Sequence, residues 1–169
     1  MRSLRNRLLV LCLIAAFSVA ASGADRLTAP IPKADQSFEA YCKQLGKVLP
    51  PIRYRCLFED NMLDEQNLSM SRRIEFSTTD FTKVFRIGRV LMGIPASLRI
   101  PESGPAEETL SEPNKPESHQ WSDLTIKRSP KGQVESVEYD RYSEGSATQR
   151  RVGRMPGGLI FIEWSSLAD

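Results

Sequence analysis

Histidine and cysteine are scarce in this sequence, which holds one histidine, His119, and three cysteines among 169 residues. A zinc site of the His-x-x-x-His kind is impossible, because that site needs two histidines. The motifs Gly-x-Ser-x-Gly, Ser-x-x-Lys, Cys-x-x-Cys and Gly-x-x-x-x-Gly-Lys are absent as well. They would have indicated an activated nucleophile, a redox centre or a phosphate-binding loop. We therefore predict no catalytic residue, no cofactor and no metal, and the sequence does not identify an activity.

Long apolar runs are absent except near the amino terminus, where the pattern is that of a secretory signal peptide. Residues 8–17 are all apolar, and small residues close the run, with Ser22 and Ala24 at the −3 and −1 positions of a cut. The basic residues before the run are Arg2, Arg5 and Arg7. Such a three-part segment is removed on export. We predict that residues 1–24 are a signal peptide, although the cut could equally follow Ala20 or Ser22.

An uncleaved membrane anchor is the alternative for this segment. The apolar stretch at residues 8–21 has only 14 residues, whereas a spanning helix needs about 20. The length therefore favours cleavage, and we expect membrane contact only through the signal segment.

Basic and acidic residues nearly balance once the signal segment is removed. The full chain has 23 basic and 21 acidic side chains. Three basic side chains and no acidic one lie in residues 1–24, so residues 25–169 carry 20 basic and 21 acidic groups, a net charge of −1. A near-neutral chain offers no electrostatic argument for nucleic acid, and we predict no such partner.

The two cysteines that remain after cleavage, Cys42 and Cys56, suit an exported domain with one disulfide. Apolar residues at helical spacing predict a helix over residues 38–49, with Cys42 on its apolar stripe. Residues 52–58 alternate, which predicts a strand with Cys56 pointing inward. A two-proline turn joins the helix and the strand. We therefore predict a Cys42–Cys56 bridge, with two buried free thiols as the alternative.

The middle of the chain changes character several times. The pattern predicts a loop or short irregular helix at residues 59–71, a strand at 72–78 and the start of a strand at 97–100. Residues 80–92 favour a helix, with a strand as the alternative because Val84, Ile87 and Val90 would also suit one. Residues 101–118 contain four prolines, five glutamates, one lysine and no aromatic residue. Such a stretch buries too little apolar surface to order itself, so we predict an exposed acidic loop.

The last third of the sequence, residues 121–164, predicts an antiparallel β-meander. A type I turn fits residues 129–132, and a strand follows at 134–142. We place an outer strand at 148–154. The run at 159–162 is continuously apolar, which is typical of a central strand buried on both faces.

Cationic side chains form one candidate contact surface. Lys83, Arg86 and Arg89 fall on one face of the predicted helix. With Arg72 and Arg73 they could meet an anionic cell-wall polymer, a lipid headgroup or an acidic protein surface. A solvated helix face is the alternative.

The remaining polar and aromatic features favour structural interpretations. Arg150, Arg151 and Arg154 are interpreted as strand-edge charges that deter unwanted sheet pairing. His119 is interpreted as an exposed loop residue, with a general base as the functional alternative. Trp164 is interpreted as a core or sheet-packing residue and not as a ligand platform.

The sequence thus predicts an α+β fold, with an N-terminal helix packed on strands and a C-terminal antiparallel β-meander. A flexible leader at residues 25–35 precedes a single small domain at 36–169; whether its two halves share one sheet stays open. We expect an exported, periplasmic or secreted, non-enzymatic binding or interaction module of the cell envelope, with an unknown protein or envelope component as its partner. The alternatives are a small envelope hydrolase that uses dispersed carboxylates or His119, and a secreted inhibitor or immunity-type protein.

Overall fold

The structure is a computed structural model that describes residues 28–48, 54–62, 68–111, 121–143 and 146–168. The predicted signal peptide lies outside these ranges. Within them the architecture is α+β, as the sequence predicts, with one seven-stranded antiparallel sheet and two helices. The helices are α1 (Phe38–Leu45) and α2 (Phe81–Leu91). The strands are β1 (Tyr54–Met62), β2 (Leu68–Phe76), β3 (Glu107–Ser111), β4 (Trp121–Arg128), β5 (Val134–Ser143), β6 (Ser146–Arg154) and β7 (Ile160–Ala168).

A single sheet joins the two halves of the chain. Its strand order is β1-β2-β7-β6-β5-β4-β3, and every neighbouring pair is antiparallel. The strands from β3 to β7 follow one another as neighbours, and the β1–β2 hairpin joins them through β7. That pairing runs from Leu68 opposite Ala168 to Phe76 opposite Ile160. The front and back halves therefore share one sheet.

One face of the sheet carries the hydrophobic core, because side chains alternate between faces along each strand. A row of fully buried cross-strand neighbours crosses five strands: Ile74, Ile162, Val152, Val137 and Ile126. The buried residues of α1 and α2 belong to the same core cluster. Both helices therefore cover this face, which we call the covered face; the opposite side is the open face.

Helix α2 packs along β6 and is held at both ends. Arg154 of β6 donates a hydrogen bond to the carbonyl oxygen of Thr79 at the start of the helix, at 3.0 Å. Arg150, four residues earlier, donates to the backbone oxygen of the C-cap residue. Between these two contacts, Gly88 lies so close to Val152 that a Cβ atom would come within 2.5 Å of its Cγ2. The direction of α2 is therefore antiparallel to β6.

Helix α1 packs through Tyr41 and Leu45, which are fully buried. The Tyr41 hydroxyl donates to the carbonyl oxygen of Pro30 at 2.6 Å, and Pro32 is buried. The predicted flexible leader therefore contacts the helix at Pro30. A buried tyrosine hydroxyl needs a partner, and this segment supplies one, which the sequence pattern does not reveal.

Two stretches between the front strand and the acidic segment differ from the prediction. Most of residues 59–71, expected as a loop, forms the ends of β1 and β2, with Glu59 opposite Ser71. Glu59, Asp60 and Asn61 are consecutive polar residues, so the usual apolar alternation is missing from this end of β1. Residues 97–100 form no strand; the Leu98 N–H instead donates to the carbonyl oxygen of Pro95 in a turn.

Strand β3 lies inside the segment predicted as an acidic loop. It pairs with β4, with Thr109 opposite Thr125 and Leu110 opposite Leu124. An outer strand needs one neighbour only, and Leu110 packs against the core. The hydrogen bonds between β3 and β4 satisfy backbone groups of β3, although this segment contains few apolar residues. Residues 112–118 of the predicted loop lie outside the described part of the chain.

Strand β6 is an inner strand, whereas residues 148–154 were predicted to lie at an edge. It pairs with β5 on one side and β7 on the other. Its arginines are therefore not edge charges, and each stacks its guanidinium on an aromatic ring, which is a stable way to shield a cation. The pairs are Arg150–Trp164 at 5.4 Å, Arg151–Phe161 at 5.0 Å and Arg154–Phe81 at 5.4 Å.

Strand β7 lies between β2 and β6 and buries side chains on both faces, as its apolar run predicts. Ile160 and Ile162 are fully buried on the covered face. Phe161 is buried on the open face because the guanidinium groups of Arg73 and Arg151 lie over its ring, at 4.0 and 5.0 Å from the centroid.

Candidate functional site

The two predicted cysteines form a disulfide that ties α1 to β1. The Cα atoms of Cys42 and Cys56 lie 6.3 Å apart, within the usual range for a bridge. The predicted pairing is confirmed. A disulfide indicates a non-cytoplasmic compartment. Of the helices in the described ranges, neither is long and apolar enough to cross a membrane.

The predicted cationic set lies on the solvent side of α2, but two of its three members already have partners in the chain. The Lys83 ammonium lies 3.2 Å from the carboxylate of Asp80, which caps the helix. Arg89 donates to the carbonyl oxygen of Pro95 at 2.6 Å. Arg86 is exposed. A partner contact through this set stays a prediction.

Arg72 and Arg73, which the sequence pattern groups with this set, point to opposite faces of β2. Arg73 lies on the open face, where it pairs with Glu75 at 3.2 Å and with Glu163 at 3.5 Å. Arg72 lies on the covered face. The structure therefore does not bring the five cations together.

A cavity of about 300 Å³ lies at the amino-terminal end of α1, and we name it the α1 cavity. Its apolar lining comes from Phe38 of α1, Met70 of β2, Leu91 of α2 and Trp164 of β7, and residues 34–37 form the remaining wall. Its polar side chains include Glu39, Arg72 and Ser166. Concave apolar walls with a few polar groups are typical of a ligand site.

Arg72 organises the charged wall of the α1 cavity. Its Nε atom lies 2.8 Å from Glu39 Oε1 and its Nη1 atom 2.5 Å from Asp60 Oδ1, while 14% of its side chain is exposed. The hydrogen bond from Arg72 lowers the pKa of Glu39 below its ordinary value. The hydrogen bonds to Asp60 and Glu39 raise the pKa of Arg72 in turn. Both partners therefore stay charged at neutral pH.

Trp164 lines the same cavity and also carries a buried hydrogen-bond donor. Its ring lies 6.4 Å from the Phe38 ring, and the Arg150 guanidinium lies 5.4 Å from its centroid. The indole Nε1 atom is buried and finds no acceptor within the described ranges. A buried donor without a partner costs about 1–3 kcal/mol.

A second, more open groove of about 520 Å³ borders the same ion pair, and we name it the disulfide groove. Cys42, Cys56 and Phe58 line it, together with Glu39 and Arg72. Because Glu39 and Arg72 line both spaces, their ion pair forms the wall between them.

No protein-family model, curated protein or solved structure matches this chain.

Two aspartates lie side by side on the open face of the sheet. Asp123 and Asp140 are direct cross-strand neighbours on β4 and β5. Burial raises the pKa of Asp140, and the charges of Glu138 and Asp123 add to the rise, whereas a hydrogen bond with Gln149 opposes it. Among the residues that the structure describes, no three His, Cys, Asp or Glu side chains are grouped to hold a metal. His119 lies outside those residues.

The sequence pattern did not predict the α1 cavity, although one signal was present. Arg72 alternates with Ile74 and Phe76, so a charge occupies an inward position of the strand. A charge at such a position indicates a buried partner or a polar site. Trp164 carried no comparable signal, because a tryptophan on a strand suits ordinary core packing equally well.

Proposed function

We propose that this chain is an exported, non-enzymatic binding module of the cell envelope and that its ligand occupies the α1 cavity. The observation that carries the proposal is the α1 cavity, which combines the aromatic rings of Phe38 and Trp164 with polar side chains, beside a buried Trp164 N–H that has no acceptor among the described residues. The disulfide and the amino-terminal pattern support export. Amino-terminal sequencing of the protein from the envelope fraction is expected to begin at Asp25, or at Ala21 or Gly23 if the cut follows Ala20 or Ser22.

The lining of the α1 cavity suggests the chemistry of the ligand. A volume of about 300 Å³ suits a compact molecule. The rings of Phe38 and Trp164 favour an apolar or aromatic body. The Trp164 N–H requires a hydrogen-bond acceptor, such as a carbonyl or carboxylate oxygen. The expected ligand is therefore a compact apolar molecule that carries an oxygen acceptor.

The polar groups of this cavity favour binding over reaction. Arg72 is already engaged by Glu39 and Asp60, and the lowered pKa of Glu39 makes it a poor proton donor at neutral pH. The Ser37 hydroxyl accepts the Ala40 N–H as the cap of α1, at 3.2 Å. These contacts position the cavity walls and leave the Trp164 N–H to orient a ligand.

Fluorescence titration of Trp164 tests the proposal. The Trp121→Phe variant leaves Trp164 as the single tryptophan of the chain. Phenylacetamide and phenylacetate, which carry oxygen acceptors, are expected to change its emission saturably. Phenethylamine has the same ring but no oxygen, so it should bind more weakly. Saturation by none of the three, or equal affinity for all three, would contradict the proposal.

Calorimetric titration of Trp164→Phe supplies the matched measurement, because this variant keeps an aromatic ring and loses the N–H. The affinity for phenylacetamide is expected to fall about three- to ten-fold, the value of one hydrogen bond. Trp121→Phe should leave the affinity unchanged. An equal loss in both variants would place the ligand elsewhere.

A further inference from the structure

Strand β1 forms one outer edge of the sheet, and its sole neighbour among the described residues is β2. It has nine residues, Tyr54–Met62, and contains no proline, whereas β3 at the opposite edge has five residues. An outer strand presents unpaired N–H and C=O groups that a further strand can bind. Within the described part of the chain, the β1 edge is therefore open to strand addition over a substantial length.

Apolar surface accompanies this open edge. Phe58 of β1 is 45% exposed, a large value for an aromatic residue in a strand. It borders the disulfide groove beside Cys42 and Cys56. Strand addition commonly combines backbone pairing with side chains that enter neighbouring grooves, and both elements are present here.

We infer that β1 pairs antiparallel with β1 of a second copy of this chain, with Leu57 on the two-fold axis. The pairing extends the sheet and keeps each of its two faces continuous. A residue that precedes Leu57 by a given number of positions lies opposite the residue of the second copy that follows Leu57 by the same number. Arg55 then lies opposite Glu59 of the second copy, and Cys56 lies opposite Phe58 of the second copy. Each Phe58 thereby reaches the disulfide groove of the other chain.

Charge complementarity selects the second copy as the occupant and selects this register. Arg55 and Glu59 both lie on the open face and are both exposed, with 69% of the Arg55 side chain accessible. The two-fold axis relates two identical Arg55–Glu59 ion pairs between the copies, as a self-complementary interface requires. An axis at Arg55 or at Glu59 would instead place like charges opposite each other, which is destabilising. This inference does not depend on the α1 cavity.

Sedimentation equilibrium of the processed protein tests the interface. The wild type is expected to be dimeric. Glu59→Arg places a cation opposite Arg55 of the second copy, and the two-fold axis repeats this repulsion once more. The dimer dissociation constant of this variant should therefore rise about ten-fold. The double variant Arg55→Glu with Glu59→Arg restores opposite charges across the axis and should recover the dimer. Glu135→Arg, at an exposed position of β5 that three strands separate from β1, is the charge-matched control and should leave the dimer unchanged.

Three results would overturn the inference: a monomeric wild type, a dimer that Glu59→Arg does not weaken, or a double variant no better than the single one. Thermal unfolding of each variant separates loss of the interface from loss of the fold, because Arg55 also pairs with Glu75 within the chain at 2.7 Å.

Oxidative cross-linking tests the register itself. Leu57→Cys places two thiols directly opposite each other across the axis, where neighbouring Cβ atoms are about 5 Å apart. Mild oxidation should give a covalent dimer on a non-reducing gel. Glu59→Cys is the control, because its symmetry mate lies about 13 Å away along the strand. Equal cross-linking of both variants would refute the register.

Discussion

Arginine side chains on the covered face of the sheet bind backbone oxygens in place of water. The side chain of Arg128 is 1% exposed and pairs with Glu108 at 3.2 Å. It also donates to the carbonyl oxygens of Pro101 and Pro105, at 3.1 Å each. A guanidinium has five N–H donors in a fixed plane, so one side chain can hold several carbonyls. Residues 101–106 are thereby held in place without regular secondary structure.

A single carboxylate on the open face opposes folding at neutral pH. Burial raises the pKa of Asp140 in the folded state, so its ionised form is disfavoured there. The resulting penalty is present above the folded-state pKa and is relieved as the pH falls through it. Asp140→Asn is therefore expected to raise the free energy of unfolding at about pH 7 and to have little effect at about pH 3.

Urea denaturation of Asp140→Asn at both pH values measures this difference. Glu135→Gln, on the same strand but exposed, is the matched control and should change stability little at either pH. A gain that is equal at the two pH values would rule out the titration of Asp140 as its cause.

At the scale of elements, the position of α2 depends on β6. The guanidinium of Arg150 lies at the carboxyl end of the helix, where the helix dipole favours a cation. Burial lowers the pKa of Arg150, yet an arginine stays charged at neutral pH. Gly88 allows the helix to approach Val152 and Ile162 closely. Polar contacts at the ends and a small residue in the middle therefore determine the packing distance.

Gly88→Ala is expected to destabilise the fold by about 1–3 kcal/mol, because the added methyl group overlaps Val152. Intrinsic helix propensity alone would predict the opposite, since alanine favours a helix by about 1 kcal/mol over glycine. Gly46→Ala is the matched control: its φ is −62°, and a Cβ there meets no atom closer than 3.6 Å. Chemical denaturation of both variants is the measurement, and a stabilised Gly88→Ala would contradict the packing argument.

At the scale of the whole molecule, ion pairs cross the open face of the sheet from β1 to β4. Exposed pairs of this kind contribute little one by one. Their alternation across strands nevertheless opposes a slip in register, because a slip would move charges away from their partners. The row runs Arg55, Glu75, Arg73, Glu163, Arg151, Glu138 and Lys127, with neighbours 2.7 to 3.8 Å apart.

The disulfide acts on the molecule as a whole by restricting the unfolded chain. Cys42 and Cys56 are 14 positions apart, and closing a loop of this length stabilises a fold by about 3 kcal/mol in the chain-entropy model. Replacement of both cysteines by serine is expected to lower the free energy of unfolding by that amount. Chemical denaturation of the wild type with and without reductant provides the comparison, and an unchanged midpoint in both tests would contradict it.

The sequence pattern predicted a structural feature correctly where the residues that produce it lie close together in the chain. The α1 stripe and the Cys42–Cys56 pairing were predictable, because the helix, the turn and the strand are adjacent in sequence. Strand β3 was not predictable from its own composition. Its hydrogen bonds with β4 stabilise it, whereas the burial of Leu110 alone would not. The placement of Arg150 and Arg154 depends on α2, which is distant along the chain.

The sequence by itself determined the α+β class, the pairing of the cysteines and the apolar inner strand at β7, because these depend on periodicity and on neighbours within a few residues. Only the tertiary structure decided that both halves share one sheet, that β6 is internal and that Arg72 and Trp164 meet at one cavity. Those outcomes depend on contacts between residues far apart in the chain, and such contacts leave no local pattern.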